Sequence, residues 1–230
     1  MPGVLCSPRL YAAQVAGLKD VANIVVPDWR KAPATTWDSW QEAARWVLAH
    51  APDRTFALAG LSLGGMISVE IMQLAPERVA RLALLDTGMR SQNESERAVR
   101  YARIRLVEEG HFDLVLGLQM ARFIPPYRLA DKLLVDEVMT MCSEIGPNIY
   151  MKQEAMAAVR VDRRPDLPRI KCPTTIVCGR DDAATPLFLS EEMHAAIEGS
   201  ALHIVEQCGH LVTMEKPEET NRILRRWLTG

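Results

Sequence analysis

The sequence holds no apolar run long enough to cross a membrane, and Met1 to Arg9 combine neither a basic start nor an apolar stretch of signal-peptide length. It also lacks any run of lysine or arginine. A formal net charge of −2 over 230 residues gives no field that would gather nucleic acid or anionic lipid. The expectation is a cytoplasmic protein with neither a membrane nor a nucleic-acid partner. Cysteine is scarce and odd in number: Cys6, Cys142, Cys172, Cys178 and Cys208 are scattered and nowhere spaced as a metal-binding or redox pair. Reduced, mostly buried thiols are expected, and no metal. No internal repeat or low-complexity segment is visible. What remains is ordinary for a globular chain, 48% apolar and 24% charged, and long enough for one large domain or one domain with a sizeable insertion.

Short β-rich apolar runs alternate with helical patterns, the signature of βαβ units on a parallel sheet. Strands are expected at residues 23–26, 55–59, 79–85, 174–178 and 202–205. Helices are expected at 36–50, with Thr36 as N-cap, and at 63–74, 187–197 and 218–228. Between Met89 and Pro168 the rhythm changes to helices only, near 94–109, 112–123, 127–145 and 150–161. The expected organisation is therefore an α/β core formed by residues 1–88 and 169–230, interrupted by a helical cap at 89–168.

The run Phe56-Ala57-Leu58-Ala59-Gly60-Leu61-Ser62-Leu63-Gly64-Gly65 is an apolar strand entering Gly-x-Ser-x-Gly and then a helix. A nucleophile on a sharp strand-to-helix turn needs small neighbours, because the turn is strained and the flanking backbones pass close to it. Gly60 and Gly64 meet that need, and the helix N-terminus after Ser62 offers free N–H groups to negative charge. By itself such a junction can be only a tight turn, so the partners decide. A serine hydroxyl requires a base. His50 and His194 fall late in helices, His111 in the cap and His203 inside a strand. His210 follows Gly209 in the loop after the last strand, at the sheet edge where α/β folds collect their active residues. A base in turn needs a carboxylate to fix its tautomer, and the loop Gly179-Arg180-Asp181-Asp182-Ala183-Ala184-Thr185-Pro186 carries two. Serine, acid and histidine occur in the chain order of α/β-hydrolases.

With these residues in view, the chain resembles the α/β-hydrolase superfamily, in its lidded branch of small esterases, enol-lactonases and carbon–carbon bond hydrolases. The resemblance runs from about Pro2 to the C-terminus and includes Pro27-Asp28, Gly60 to Gly65, Leu85-Asp86, Gly179 to Pro186 and Gly209-His210. It implies a mostly parallel sheet flanked by helices with a helical lid, and it selects Asp182, the last residue of Gly-x-x-Asp with proline four positions later, over Asp181. It implies an oxyanion hole of two backbone N–H groups, from Leu63 and, since Pro2-Gly3-Val4 stands where the family has His-Gly-x, from Val4. The implied activity is hydrolysis of a small carboxylic ester or related acyl substrate through an acyl-enzyme, with no cofactor. Carbon–carbon hydrolysis, enol-lactone hydrolysis or cofactor-free peroxidase-like chemistry on the same triad are the enzymatic alternatives. A non-catalytic ligand-binding protein of the same fold is the other.

Several residues have plainer readings. Asp86 ends a strand, where some relatives place the acid, but a loop-bonding role is the simpler assignment. Cys208 packs as a small hydrophobe, and Cys6 lies near the oxyanion loop with no chemical role. The methionines of the cap, Met120 and Met141 among them, suit either an adaptable lid or plain packing. Arg163-Arg164 reads as a solvated charge pair. The family opens with a β-hairpin and a central strand before the oxyanion loop, and a strand needs about five residues at about 3.3 Å each. The loop candidate here begins at Pro2. The expectation is that the natural chain starts upstream of Met1, or that residues 23–26 and 55–59 pair directly and displace Val4.

Overall fold

Four aliphatic runs form the sheet of the computed structural model, which describes residues 1–51 and 53–230: β1 (Phe56–Leu61), β2 (Val79–Leu85), β3 (Thr174–Gly179) and β4 (Ala201–Val205). They lie in the order β1-β2-β3-β4 and every neighbouring pair is parallel, with Leu58 opposite Leu82, Leu84 opposite Ile176 and Val177 opposite His203. All of β3 and the last four residues of β2 are buried, as expected of inner strands covered on both faces. Parallel strands end together, so the loops after all four open at one edge.

The helices in chain order are α1 (Ala12–Gly17), α2 (Trp40–His50), α3 (Leu63–Leu74), α4 (Glu94–Glu108), α5 (Phe112–Phe123), α6 (Lys132–Ala158), α7 (Phe188–Ala196), α8 (Val212–Glu215) and α9 (Pro217–Thr229). Buried from Leu63 to Met72, α3 is apolar nearly all round, the pattern of an interior helix. Between β2 and β3 the chain is helical only, with α4, α5 and α6 packed on one another. No helix among the described residues is long and apolar enough to cross a membrane.

Three expectations are corrected. Helix α2 starts at Trp40 rather than 36, because Ser39 accepts the Glu42 N–H at 3.1 Å and residues 34–37 form a separate 3-10 turn. The Ser-x-x-Glu pattern at 39–42 is the stronger start signal. The helix expected from 127 begins at Lys132, where Asp131 accepts the Leu134 N–H at 3.2 Å, and α6 is two helical segments, as expected, divided where Gly146 leaves helical geometry at φ 74°, ψ 168° ahead of Pro147. Residues 23–26 form no strand. A strand needs a ladder partner, and the free edge of β1 engages Met1 instead: the Met1 amine donates to the Ala59 carbonyl, and Leu61 N–H donates to the Met1 carbonyl at 3.0 Å. A cleft of about 640 Å³, lined by Ile24, Val26, Ala57 and Ala59 among others, separates the two segments. They do not pair.

Candidate active site

The turn between β1 and α3 is built as its sequence demands. Ser62 sits at φ 55°, ψ −118°, a conformation that costs a non-glycine residue on the order of 1–3 kcal/mol and persists only where its surroundings impose it. Here they do: Ser62 N–H donates to the Leu85 carbonyl at 3.0 Å, and the Thr87 hydroxyl donates to the Ser62 carbonyl at 2.8 Å, tying the turn to the end of β2. A Cβ on Gly60 would lie 2.3 Å from the Gly64 carbonyl oxygen, and one on Gly64 would lie 2.2 Å from that of Met1. No side chain fits at either position.

Beside the serine runs the loop from Pro2 to Cys6. A Cβ on Gly3 would lie 3.0 Å from the Ser62 Cβ, so the two backbones are in direct contact. The loop turns at Val4 and Leu5, with Cys6 N–H donating to the Gly3 carbonyl at 3.2 Å and Leu5 at φ 58°. Three buried side chains hold it: Tyr11 Oη donates to the Met1 carbonyl, Trp29 Nε1 to the Pro2 carbonyl, and Gln153 Oε1 accepts Leu5 N–H at 3.0 Å. The N–H groups of Val4 and Leu63 have no acceptor among the described residues.

At the same sheet edge the loop after β3 meets the loop after β4. His210 Nδ1 lies 2.8 Å from Asp182 Oδ2, and both residues are buried. Asp182 also accepts the Ala184 and Thr185 N–H groups at 2.7 and 2.9 Å and the Thr185 hydroxyl at 2.7 Å. Burial works against its charged form, but the His210 ring and the Thr185 bonds outweigh it and hold the carboxyl below its usual range. Phe123 stacks on the imidazole with ring centroids 5.4 Å apart, and the Phe123 carbonyl accepts His210 N–H at 2.9 Å. The second ring nitrogen, Nε2, makes no hydrogen bond among the described residues. Asp182 and His210 are thus joined directly, while Ser62 follows β1, separated from β3 by β2 along the same sheet edge, without a hydrogen bond to the ring.

Reading the sequence alone missed Glu215. This buried carboxylate, in α8, accepts Gly209 N–H at 3.0 Å and Leu211 N–H at 3.1 Å, gripping the backbone on both sides of His210. Burial raises its carboxyl above the ordinary value. A glutamate five residues after the histidine is the one available signal, and nothing about its spacing marks it as buried.

The rival residues fall into structural roles. Asp86 is fully buried; its oxygens accept Gly179 N–H at 2.9 Å and Val212 N–H at 3.1 Å, joining the loops after β2 and β3 to α8. Asp181 accepts the Tyr127 hydroxyl at an exposed position. Arg163 pairs with Glu70 and Asp166, and Arg164 with Asp162 and Glu192. Cys208 is buried, and burial raises its thiol. One donor atom each of Asp86, Cys178 and Asp182 lie within 4.8 Å of one another. This set does not fit a metal ion: both carboxylates are committed to N–H and hydroxyl donors, and burial raises the Cys178 thiol instead of releasing a thiolate.

Residues 2–223 match the family model described as "Alpha/beta hydrolase family". Among curated proteins, RutD of Cronobacter turicensis, provisionally named a carbamate hydrolase, is 25% identical over 193 residues, 83% of this chain and 71% of that protein. RutD of Escherichia coli O9:H4 is 25% identical over 80% of this chain and 70% of its own length. Among solved structures, an esterase from Thermogutta terrifontis superposes with a TM-score of 0.85 at 22% identity, covering 99% of this chain and 87% of the other. The enol-lactonase from Burkholderia xenovorans LB400 superposes with a TM-score of 0.83 at 20% identity, covering 100% and 89%.

Proposed function

Since the chain belongs to the α/β-hydrolase family, we propose that it is a serine hydrolase that cleaves a small carboxylic ester or related acyl substrate through an acyl-enzyme on Ser62. The observation that carries this reading is the buried contact of Asp182 with His210, 28 residues apart in sequence, at the sheet edge that also presents Ser62.

In the proposed reaction Ser62 Oγ bonds to the acyl carbon while His210 Nε2 takes its proton. The N–H groups of Leu63 and Val4 hold the tetrahedral oxyanion; both are free, and the Gly3 contact places the second loop against the serine. The bond to the leaving oxygen then breaks, and that oxygen takes the proton from Nε2. Water attacks the acyl-enzyme as Nε2 accepts its proton, the Ser62–acyl bond breaks with the proton returning to Oγ, and a carboxylic acid leaves. Asp182 keeps the tautomer with Nδ1–H toward itself and stabilises the imidazolium. Residues 89–168 act as the cap over this site, with Phe123 laid on the base.

A fluorophosphonate probe together with p-nitrophenyl acetate tests the reading. Covalent labelling and turnover in the wild type, both lost in Ser62→Ala, are expected. Undiminished turnover in purified Ser62→Ala, or no labelling of the wild type, would sink it.

A further inference from the structure

The segment between β2 and β3 buries a concentration of guanidinium groups that the proposed mechanism does not use. Arg100 and Arg103 of α4 converge on Glu154 of α6, at 3.1 and 3.6 Å, and all three are largely shielded from solvent. Arg122, at the end of α5, and Arg160, just past α6, are also partly buried. Arg122 donates to Gln119 Oε1 and, at 3.5 Å, to the Ala184 carbonyl; Arg160 has only the Met66 sulfur, at 3.4 Å, and its Nε is unpartnered. Three guanidinium groups, those of Arg100, Arg103 and Arg122, therefore bear on one buried carboxylate, Glu154, while Arg160 lies near Arg100 and Glu96. Burial is the largest influence on Arg122 and Arg160 and the neighbouring arginines the next, lowering both, Arg160 to about 10.

Two fully buried polar groups of α6 also lack a partner among the described residues. Tyr150 Oη has none, although Glu154, Arg103, Arg100 and Arg122 all act on it, and Gln153 Nε2 has none, although its Oε1 accepts Leu5 N–H. Buried donors are normally satisfied and buried charges paired. An excess of positive charge beside idle donors is the complement of an oxyanion.

The cluster reaches the catalytic candidates through Arg122, and the chain neighbours of its members touch two more of them. Arg122 binds the carbonyl two residues past Asp182, Phe123 stacks on His210, and Gln153 holds the loop that carries Val4. We infer that the substrate carries a carboxylate as well as its acyl bond, and that Arg100, Arg103, Arg122 and Tyr150 bind that carboxylate while the acyl carbon sits at Ser62. A monoester of a short dicarboxylic acid is the simplest such compound. This rests on the hydrolase reading above and specifies its substrate class.

The test compares mono-p-nitrophenyl glutarate with neutral p-nitrophenyl pentanoate, in the wild type and in Arg103→Gln, Arg122→Gln and Arg122→Lys, alongside calorimetric titration with glutarate and with inorganic phosphate. The wild type should favour the acid by roughly tenfold to a hundredfold in kcat/KM, the range of one charge-assisted hydrogen bond. Either glutamine variant should remove most of that ratio, and Arg122→Lys should keep part of it. Ser62-dependent hydrolysis of both esters at equal efficiency would overturn the inference and leave the hydrolase reading standing. If neither ester is cleaved, the hydrolase reading fails, and glutarate titration decides the anion site: single-site binding weakened tenfold or more in Arg122→Gln upholds it, and no binding overturns it. Phosphate binding as tightly as glutarate would overturn it too, marking a site for free anions. Should the glutamine variants fail to fold, the wild-type ratio still decides.

Discussion

Replacing Glu215 tests whether the His210 loop is positioned by a buried carboxylate or merely packed beside one. In Glu215→Ala the Gly209 and Leu211 N–H groups lose their acceptor in an interior without room for ordinary solvation. Each stranded N–H costs about 1–3 kcal/mol, and relief of the buried charge returns a part, which leaves a net loss of about 2–4 kcal/mol. In a chain of this size about 1 kcal/mol moves Tm by about 2–4 °C, so a fall of roughly 5–15 °C is expected. Glu215→Gln keeps one oxygen within reach of both donors and should cost less than about 1 kcal/mol. Because burial raises the Glu215 carboxyl, the folded state holds its proton more tightly than the unfolded chain does. That contribution is complete below about pH 4.3 and is lost as pH rises through the folded value. The glutamine variant should therefore show a flatter fall in stability as pH rises from that point. Urea unfolding across that range, with turnover of p-nitrophenyl acetate on the same samples, measures both effects. An alanine variant as stable and active as wild type, or a glutamine variant as damaged as alanine, would refute the clamp.

Three further outcomes are expected. Asp182→Asn should lower turnover on the order of 10⁴-fold if the proposed assignment holds, as the loss of the acid does in serine proteases, whereas Asp181→Asn, whose carboxylate faces only Tyr127 and solvent, should stay within several-fold of wild type; equal losses in a kinetic comparison would remove Asp182 from the site. Ser62→Gly and Ser62→Ala should both be inactive, but glycine relieves the left-handed backbone and should be the more stable by about 1 kcal/mol; matching melting curves would show that the turn is unstrained. Asp182 is held below its ordinary range, so its stabilisation is present above about pH 3.9 and is lost as pH falls through the folded value; acid titration of Asp182→Asn should show a shallower loss of stability than wild type, and parallel curves would contradict that sign.

What the sequence reveals here is whatever is encoded locally. β2, α3 and α5 have the bounds their periodicity predicts, because each is an apolar pattern ended by an unambiguous breaker. The strand-to-helix turn at Ser62 is legible because only glycine tolerates the approach of Met1 and Gly64. The failures come from partners distant in sequence. Residues 23–26 have strand composition but no ladder to join, and composition does not show whether an edge is available. Ser39 outcompetes Thr36 as a cap because of Glu42, a pattern present in the sequence but masked by the tryptophans before it. Glu215 and the arginines around Glu154 lie outside any motif, since their meaning comes from burial, which for the arginines the mutual packing of α4, α5 and α6 creates.

That packing also bears on how independent the proposed cap is of the core. Its residues grip each part of the proposed machinery: the Phe123 carbonyl and ring fix His210, Arg122 reaches the loop of Asp182, and Gln153 accepts the N–H of Leu5. The last of these is the most consequential. Leu5 is held in the left-handed region, where a leucine is strained, and its neighbour Val4 offers the N–H assigned to the oxyanion. A backbone so disposed stays in place only while its surroundings impose it, and the buried Gln153 amide is one of the groups that do so. The same side chain leaves its Nε2 unpartnered among the described residues. A change in α6 that displaces Gln153 therefore reaches the loop that carries Val4, and with it the backbone lying against Ser62.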